Sequence, residues 1–186
     1  MKVYFDKAFT KIAVLGSGTM GGQIAAHFAN LGFDTLMFDT SEEALSKSLA
    51  MMKKLKPTPF ASPSVSASIK TATYDNLDAL SSCDFIIESI VENLDIKKQL
   101  FKKISPHVND NAVLVTNTSG LSIQQIAETS PESLRSRIFG VHFFNPPRYM
   151  PLVELIRTSY SDESLLNKAE GFITSALGKE VVYAKD

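Results

Sequence analysis

Residues 11–39 read KIAVLGSGTMGGQIAAHFANLGFDTLMFD, and this stretch predicts the fold of the whole chain. The short apolar run at 11–15 is typical of a buried parallel strand, because it carries β-branched residues and no charge after its first position. Beyond the glycines, apolar side chains recur every three or four residues and predict one face of a helix: Met20, Ile24, Phe28 and Leu31. Gly32 is a typical helix stop, and the second apolar run ends in an acid, Asp39.

The turn between the first strand and the helix has the spacing G-x-G-x-x-G, from Gly16 to Gly21. Glycine permits the tight turn out of the strand, the close approach of a pyrophosphate to the backbone, and close packing of helix against strand. The helix N-terminus then offers free N–H groups to the phosphates. We therefore predict cofactor contacts from Gly16, Ser17, Gly18, Thr19, Met20 and Gly21. A glycine-rich turn that binds nothing is the alternative.

Asp39 indicates which dinucleotide this turn would bind. A carboxylate at the end of the second strand accepts hydrogen bonds from the ribose hydroxyls of an adenosine, whereas it repels a 2′-phosphate. No lysine or arginine follows at once, since the next residues are Thr40, Ser41, Glu42 and Glu43. The sequence therefore predicts NAD(H) rather than NADP(H) as the cofactor.

The rest of the chain continues the alternation of strands and helices. Apolar runs predict further strands at 69–74, 84–90, 112–116, 138–144, 152–156 and 181–184. Periodic segments predict helices at 41–55, 94–104, 122–128 and 163–177. We expect an α/β fold of the Rossmann type, with a doubly wound, mainly parallel sheet and helices on both faces. The Pro- and Ser-rich segment 56–68 is expected to be an exposed loop with room to move.

Composition narrows the class of protein. The chain has 186 residues, of which 44% are hydrophobic and 21% charged, as in ordinary globular domains. The formal net charge of −1 gives no general attraction to nucleic acid or to an anionic membrane. A single cysteine, Cys83, leaves no internal disulfide, and neither a transmembrane run nor a secretory signal is visible, so we expect a cytoplasmic protein. Three scattered histidines and one cysteine predict no metal site.

Three side chains predict chemistry at the carboxyl edge of the sheet. His142 lies near the end of an apolar strand, where its ring nitrogens need partners, and Glu154 lies inside another apolar run. A histidine paired with a glutamate is held in one tautomer and becomes a better base near neutral pH. A core histidine and an exposed edge glutamate are the alternative. Ser119 follows a strand end in a polar turn, where a serine either caps the turn or contacts a ligand.

Four stretches resemble the NAD-binding domain of the L-3-hydroxyacyl-CoA dehydrogenases, the oxidoreductases of fatty-acid β-oxidation. They are VLGSGTMGGQIA from Val14, IIESIVENLDIKKQLF from Ile86, TNTSGLSI from Thr116 and GVHFFNPPRYMPLVELI from Gly140. The resemblance covers residues 11–186, essentially the whole chain. Its most specific part is HFFNP with a glutamate twelve residues after the histidine.

The resemblance implies a role for single residues. His142 matches the base that removes the proton from the 3-hydroxyl as hydride leaves carbon 3 for the nicotinamide, and Glu154 matches the carboxylate that orients this base. Ser119 matches a serine that contacts the substrate oxygen and lies near the nicotinamide. Positions that match cofactor contacts are Asp39, Glu92, Lys97, Ser119 and Asn145. The implied substrate is an L-3-hydroxyacyl-CoA, which is oxidised to the 3-ketoacyl-CoA.

The chain departs from the family pattern in two places. The helical hairpin that holds coenzyme A is shortened here to segment 56–68, so no coenzyme A lysine can be carried over. With NPPRYM after the histidine, the chain resembles the larger, long-chain enzymes that also carry an enoyl-CoA hydratase-like domain. The helical domain that supplies the family's main dimer contact is missing after Asp186. We therefore expect residues 1–186 to be the N-terminal NAD-binding domain of a longer, homo-oligomeric protein.

Two other functions remain open from the sequence. One is an NAD-binding module without catalysis, which would need only the glycine turn and Asp39. The other is a dehydrogenase of a 3-hydroxy acid without coenzyme A. The shortened hairpin is consistent with this alternative, because the longer hairpin of the family holds coenzyme A. In isolation, residues 1–186 are expected to bind the cofactor with little or no turnover.

Overall fold

The computed structural model of the protein describes residues 8–186; residues 1–7, on which the expected lack of a secretory signal partly rests, lie outside them. Its strands are β1 (Lys11–Leu15), β2 (Asp34–Asp39), β3 (Lys70–Thr73), β4 (Phe85–Glu88), β5 (Val113–Thr116), β6 (Ile138–Phe143), β7 (Leu152–Ile156) and β8 (Glu180–Ala184). Its α-helices are α1 (Thr19–Asn30), α2 (Glu42–Met52), α3 (Leu94–Ile104), α4 (Ile123–Thr129), α5 (Glu132–Arg135) and α6 (Glu163–Gly171). None of the helices in this described part is long and apolar enough to cross a membrane.

The strands form one eight-stranded sheet in the order β3-β2-β1-β4-β5-β6-β7-β8. Neighbouring strands run parallel, except that β6 and β7 are antiparallel. The parallel direction of most strands follows from the crossover connections, because each one returns the chain to the edge of the sheet at which the preceding strand began. The prediction of a Rossmann-type, doubly wound and mainly parallel sheet is confirmed.

Helices cover both faces of the sheet, because its central strands are apolar on both sides. On one face, α1, α2 and α6 pack around aromatic rings, and the rings of Phe28 and Phe172 stack with centroids 6.2 Å apart. On the other face, α3 and α4 pack through aliphatic side chains such as Leu100 and Ile126. The sheet is therefore buried from two sides, and its carboxyl edge is left for other contacts.

Most element bounds agree with the sequence predictions to within a few residues, but the short helix α5 was not predicted, and α1 and α6 differ from their predictions. Leu31, expected on the apolar face of α1, lies beyond the helix and is 40% exposed, because Gly32 with a φ of 79° turns the chain away. The helix predicted at 163–177 is α-helical only as far as Gly171 and continues as a π-helical turn, Phe172–Ala176. The wider turn coincides with the burial of the successive residues Phe172 and Ile173.

Segment 56–68 is exposed over much of its length, as predicted, but it is anchored at its middle. Arg148 Nη1 donates hydrogen bonds to the carbonyl oxygens of Thr58 at 3.0 Å and Phe60 at 2.7 Å. The side chain of Asn30 bonds to the backbone on either side of Phe60, whose ring is buried. The segment is thus tied to α1 and to the chain after β6, which limits the movement expected from its composition.

His27 lies inside α1 and is 6% exposed, near the rings of Phe28 and Phe143. Burial, and to a lesser extent the charges of Lys179 and Arg148, together lower the pKa of this imidazole from 6.5 to about 4. Its Nε2 has no hydrogen-bond partner among the described residues. The imidazole therefore stays neutral in the folded protein at pH values where the unfolded chain is already protonated.

We expect His27 to make the fold sensitive to acid. Above pH 6.5 the imidazole is neutral in both states, but between 6.5 and about 4 the unfolded chain binds a proton that the folded chain does not. Over that range the free energy of unfolding of the wild type should fall by about 3 kcal/mol relative to a His27→Leu variant. Urea denaturation of both proteins across this range measures the difference, and parallel pH profiles would contradict it.

Candidate active site

A cavity of about 940 Å³ opens at the carboxyl ends of the parallel strands. In a doubly wound sheet, ligands bind at this edge. The predicted site residues that line the cavity are Gly16, Gly18, Thr19, Met20, Asp39, Glu92, Ser119, His142 and Asn145. Ser17, Gly21 and Lys97 lie behind this lining. The structure therefore brings most of the predicted residues into one cleft.

The glycine turn leads into this cleft. Gly16 has a φ of 98°, and a Cβ atom on Gly21 would lie 1.9 Å from the Gly16 carbonyl oxygen, so only glycine allows this approach. A Cβ atom on Gly18 would meet no atom within 4 Å, because this residue faces open space. Helix α1 has no acid in its first turn and no side-chain cap, so its first N–H groups are free for an anion. These features fit a diphosphate.

Asp39 ends β2 at the rim of the cleft. Its carboxylate accepts the backbone N–H groups of Ser17 and Thr40, each at 2.7 Å, and the Ser17 hydroxyl. Burial raises the pKa of Asp39, but these hydrogen bonds outweigh it and hold the pKa below the usual value. The carboxylate is therefore ionised, and it suits ribose hydroxyls better than a 2′-phosphate. Ser17 is itself 4% exposed and contacts Asp39 rather than the cavity.

Glu92 holds the turn that carries Ser119. Its Oε1 accepts hydrogen bonds from the Thr118 hydroxyl, from the Ser119 N–H at 2.9 Å and from the Gly120 N–H at 3.3 Å. The Ser119 hydroxyl lies 3.3 Å from the same oxygen. Burial raises the pKa of Glu92, but these donors and Lys97 together lower it below the usual value. Glu92 is thus an ionised group that shapes the turn as well as lining the cavity.

Lys97, predicted to contact the cofactor, lies behind Glu92. Its Nζ is 2.6 Å from Glu88 Oε1 and 3.3 Å from Glu92 Oε2, and the Lys97 and Glu88 side chains are each 1% exposed. Glu88 also accepts the Thr116 hydroxyl at 2.5 Å and the Ile90 N–H at 2.7 Å. A buried charge needs such partners. Lys97 therefore does not line the cavity itself, but it contacts Glu92, which does.

His142 and Glu154 form the pair that the sequence predicts. They face each other across the antiparallel strands β6 and β7, and His142 Nδ1 lies 2.7 Å from Glu154 Oε2. The two side chains are 17% and 32% exposed, so the pair is half-buried at the cavity. No described residue bonds to the other ring nitrogen, Nε2. A neutral imidazole in this arrangement donates Nδ1–H to the carboxylate and leaves Nε2 as a proton acceptor.

Sequence reasoning missed two residues of the site, and it placed a third, Asn117, at the end of a strand without giving it a role. Glu88 shows a signal that could have found it, because an acid ends an otherwise apolar strand and needs a buried partner. Asn117 accepts the Phe143 N–H at 2.8 Å and so joins the ends of β5 and β6. Gln23 bonds to Asn145 and has no local signal. Among residues 8–186, no group of three or more His, Cys, Asp and Glu side chains could hold a metal ion.

A sheet with this turn and this acid at the end of β2 is a dinucleotide-binding domain of the Rossmann type. Residues 11–186 match the family model described as "3-hydroxyacyl-CoA dehydrogenase, NAD binding domain". The chain belongs to this family, and NAD is its cofactor. The open space at Gly18, the free N–H groups of α1 and the ionised Asp39 all fit that molecule.

The chain is similar to known dehydrogenases over nearly its whole length. It is 37% identical to a probable 3-hydroxyacyl-CoA dehydrogenase of Bacillus subtilis, over 97% of this chain and 26% of that protein. It is 36% identical to a putative fatty acid oxidation complex trifunctional enzyme of Rickettsia felis, over 95% of this chain and 26% of that protein. The solved structure of (S)-3-hydroxybutyryl-CoA dehydrogenase PaaH1 from Ralstonia eutropha matches 96% of this chain and 64% of its own, with a TM-score of 0.83 and 32% identity. The chain spans about a quarter of the length of these two sequence relatives.

We expect a Lys97→Met variant to lose much of its stability. Without the ammonium group, Glu88 is a buried charge with no counterion, and breaking such a pair costs about 3–5 kcal/mol of unfolding free energy. A double variant with Glu88→Gln should be more stable than Lys97→Met alone, because it leaves no uncompensated charge. Urea denaturation followed by circular dichroism measures these free energies.

The matched control is Lys70→Met. Lys70 pairs with Asp34 at 2.7 Å, but the two side chains are 63% and 40% exposed. Its loss should change the free energy of unfolding by less than about 1 kcal/mol, since exposed ion pairs contribute little. Equal effects of Lys97→Met and Lys70→Met would show that burial of the Lys97 pair has no energetic consequence.

Proposed function

We propose that the protein carrying this domain oxidises L-3-hydroxyacyl-CoA to 3-ketoacyl-CoA with NAD⁺, as in fatty-acid β-oxidation. The observation that carries the proposal is the His142–Glu154 pair at the NAD cavity. Oxidation of an alcohol by hydride transfer needs a base at the hydroxyl, and this pair supplies one beside the cofactor. Family membership and the names of the relatives support the substrate class.

In this proposal His142 is the catalytic base. Because Nδ1 is bonded to Glu154, Nε2 accepts the proton of the 3-hydroxyl while the hydrogen on carbon 3 leaves as hydride and the carbon–oxygen double bond forms. NAD⁺, when bound, accepts that hydride. Glu154 holds the imidazole in the required tautomer and stabilises the imidazolium that results.

Ser119 is proposed to contact the substrate oxygen. The turn that carries it is fixed by hydrogen bonds to Glu92, so the hydroxyl is held at one place in the cavity. For the cofactor, we propose that the glycine turn holds the diphosphate and that Asp39 holds the adenosine ribose. Glu92 and Asn145 contact the half of the cofactor nearer His142, and Lys97 acts through Glu92.

We propose that residues 1–186 are the NAD-binding domain of a longer protein and that the acyl pocket is completed outside them. The coverage of about a quarter of the two sequence relatives supports this division. A homo-oligomer, a cytoplasmic location and the lack of a nucleic-acid partner stay predictions from the sequence.

The choice of NAD over NADP is expected to depend on Asp39. The wild-type chain should bind NADH in a calorimetric titration and bind NADPH at least about tenfold more weakly, because the 2′-phosphate meets an ionised carboxylate. An Asp39→Asn variant should lose about tenfold in NADH affinity and narrow that gap, since a charged acceptor is replaced by a neutral one.

The matched control for this charge is Asp34→Asn at the other end of the same strand, where the carboxylate pairs with Lys70 at the surface. It should leave both affinities unchanged. Comparable binding of NADH and NADPH by the wild type would refute the role given to Asp39.

The role of His142 is tested by turnover in the whole encoded protein. A His142→Ala variant should lose about 10²–10⁴-fold in kcat with a 3-hydroxyacyl-CoA substrate, as expected for a general base. Its affinity for NADH should stay close to the wild-type value, because the glycine turn and Asp39 are intact. Initial rates of NADH formation and a parallel NADH titration separate the two effects.

His107 offers a matched control, because its Nδ1 also lies 2.9 Å from a carboxylate, that of Asp78, at an exposed position. His107→Ala should keep wild-type turnover. Near-normal turnover of His142→Ala would contradict its role as base.

A wild type that binds NADH but oxidises neither 3-hydroxyacyl thioesters nor free 3-hydroxy acids would be an NAD-binding module, and activity on the free acids alone would change the substrate class.

A further inference from the structure

Gln23 links the glycine-turn helix to the segment that follows His142. This side chain, 5% exposed, lies on α1 one turn after Thr19. Its Nε2 donates to the Thr19 carbonyl oxygen at 3.0 Å and to Asn145 Oδ1 at 3.2 Å. Gln23 and Asn145 are 122 positions apart in the chain. No step of the proposed mechanism uses Gln23.

The hydrogen bonds of Gln23 fix the orientation of both amide groups. The Thr19 carbonyl oxygen can only accept, so Gln23 must turn its NH₂ group towards it. The same NH₂ group then faces Asn145, which must present Oδ1 in return. The NH₂ group of Asn145 is consequently directed away from α1. Among the described residues, none accepts a hydrogen bond from it.

Asn145 presents these free donors at the end of the cavity that contains His142. It follows His142 by three residues and lines the same cavity, whereas Asp39 lies at the end of β2. In the proposed function the nicotinamide lies at the His142 end, because the hydride acceptor and the base act on the same carbon–oxygen unit. An acceptor oxygen of the nicotinamide half, on its carboxamide or its ribose, suits a donor N–H at this place.

We propose that Gln23 is a positioning residue. It holds the Asn145 amide so that its NH₂ group, and not its carbonyl oxygen, faces the nicotinamide half of NAD. The inference rests on the proposed function, since it takes Asn145 as a cofactor contact. Asn145 is exposed, and an exposed amide without a fixed partner adopts both orientations. In one of them its carbonyl oxygen faces the acceptor on the cofactor, and the hydrogen bond is replaced by repulsion. Gln23 removes that orientation.

Two substitutions of Gln23 differ in what they do to Asn145. Gln23→Leu leaves the amide free to turn, so the competent orientation falls to about half and NADH affinity falls about twofold. Gln23→Glu presents only acceptor oxygens, which favour the wrong orientation of Asn145, and NADH affinity should fall about tenfold. If Gln23 only filled space, Gln23→Glu, which keeps its shape, would weaken NADH binding no more than Gln23→Leu does. Thermal unfolding of each variant records any loss of stability separately.

The experiment titrates the 186-residue chain and its variants with NADH and with ADP-ribose, which lacks the nicotinamide. Gln23→Leu should bind ADP-ribose within about twofold of the wild type. For Gln23→Glu the ratio of NADH to ADP-ribose affinity should fall about tenfold, because its charge acts on the diphosphate of both ligands alike. Gln99→Glu is the matched control, because it places the same charge on α3 in the lining of the same cavity. It should change the affinities for both ligands by the same factor.

A double variant tests whether Gln23 acts through Asn145. In an Asn145→Leu background, Gln23→Glu should no longer change the ratio of NADH to ADP-ribose affinity. If it still does, or if Gln23→Glu alone weakens both ligands equally, the inference is overturned and Gln23 acts on helix α1 itself. Failure of the wild-type chain to bind NADH would overturn this inference, whereas the proposed function is tested separately by turnover in the whole encoded protein.

Discussion

The close packing of helix α1 against the end of β1 is the constraint on which the rest of the structure depends. A side chain on Gly21 would collide with the Gly16 carbonyl oxygen, and the positive φ of Gly16 itself favours glycine. The close approach of helix to strand therefore requires glycine at both positions. This contact fixes the direction of α1 and points its free N–H groups into the cavity. Because the neighbouring strands run parallel to β1, their carboxyl ends bring Asp39 and the other polar groups to the same edge. One short turn therefore sets both the fold and the place of the site.

Much of the fold was predictable because its signals are local. A glycine turn, or a serine cap such as Ser41 or Ser122, acts on the next three or four residues, so the sequence shows it directly. The His142–Glu154 pair was predictable for a different reason. Each of its members is a polar group in an apolar strand that requires a partner, and the connection between them is short enough for a hairpin.

Other parts of the site depend on contacts that no local pattern encodes. Lys97 lies behind Glu92 because it forms ion pairs with Glu88, at the end of a strand, and with Glu92, in a loop. The periodicity of helix α3 does not predict these partners. Leu31 repeats the spacing of the buried face of α1 but follows the end of the helix. The bond between Gln23 and Asn145 joins distant segments, and both residues read as ordinary polar positions in the sequence.

The antiparallel pairing of β6 with β7 has a consequence for how this domain tolerates change. The ladder of backbone hydrogen bonds between the two strands keeps His142 opposite Glu154. The connecting segment 144–151 also carries Asn145 and Arg148, so an insertion there would disturb their contacts with Gln23 and with segment 56–68. A deletion of one residue inside either strand would instead move every later side chain to the opposite face of the sheet. The His142–Glu154 pair thus depends on the register of these two strands.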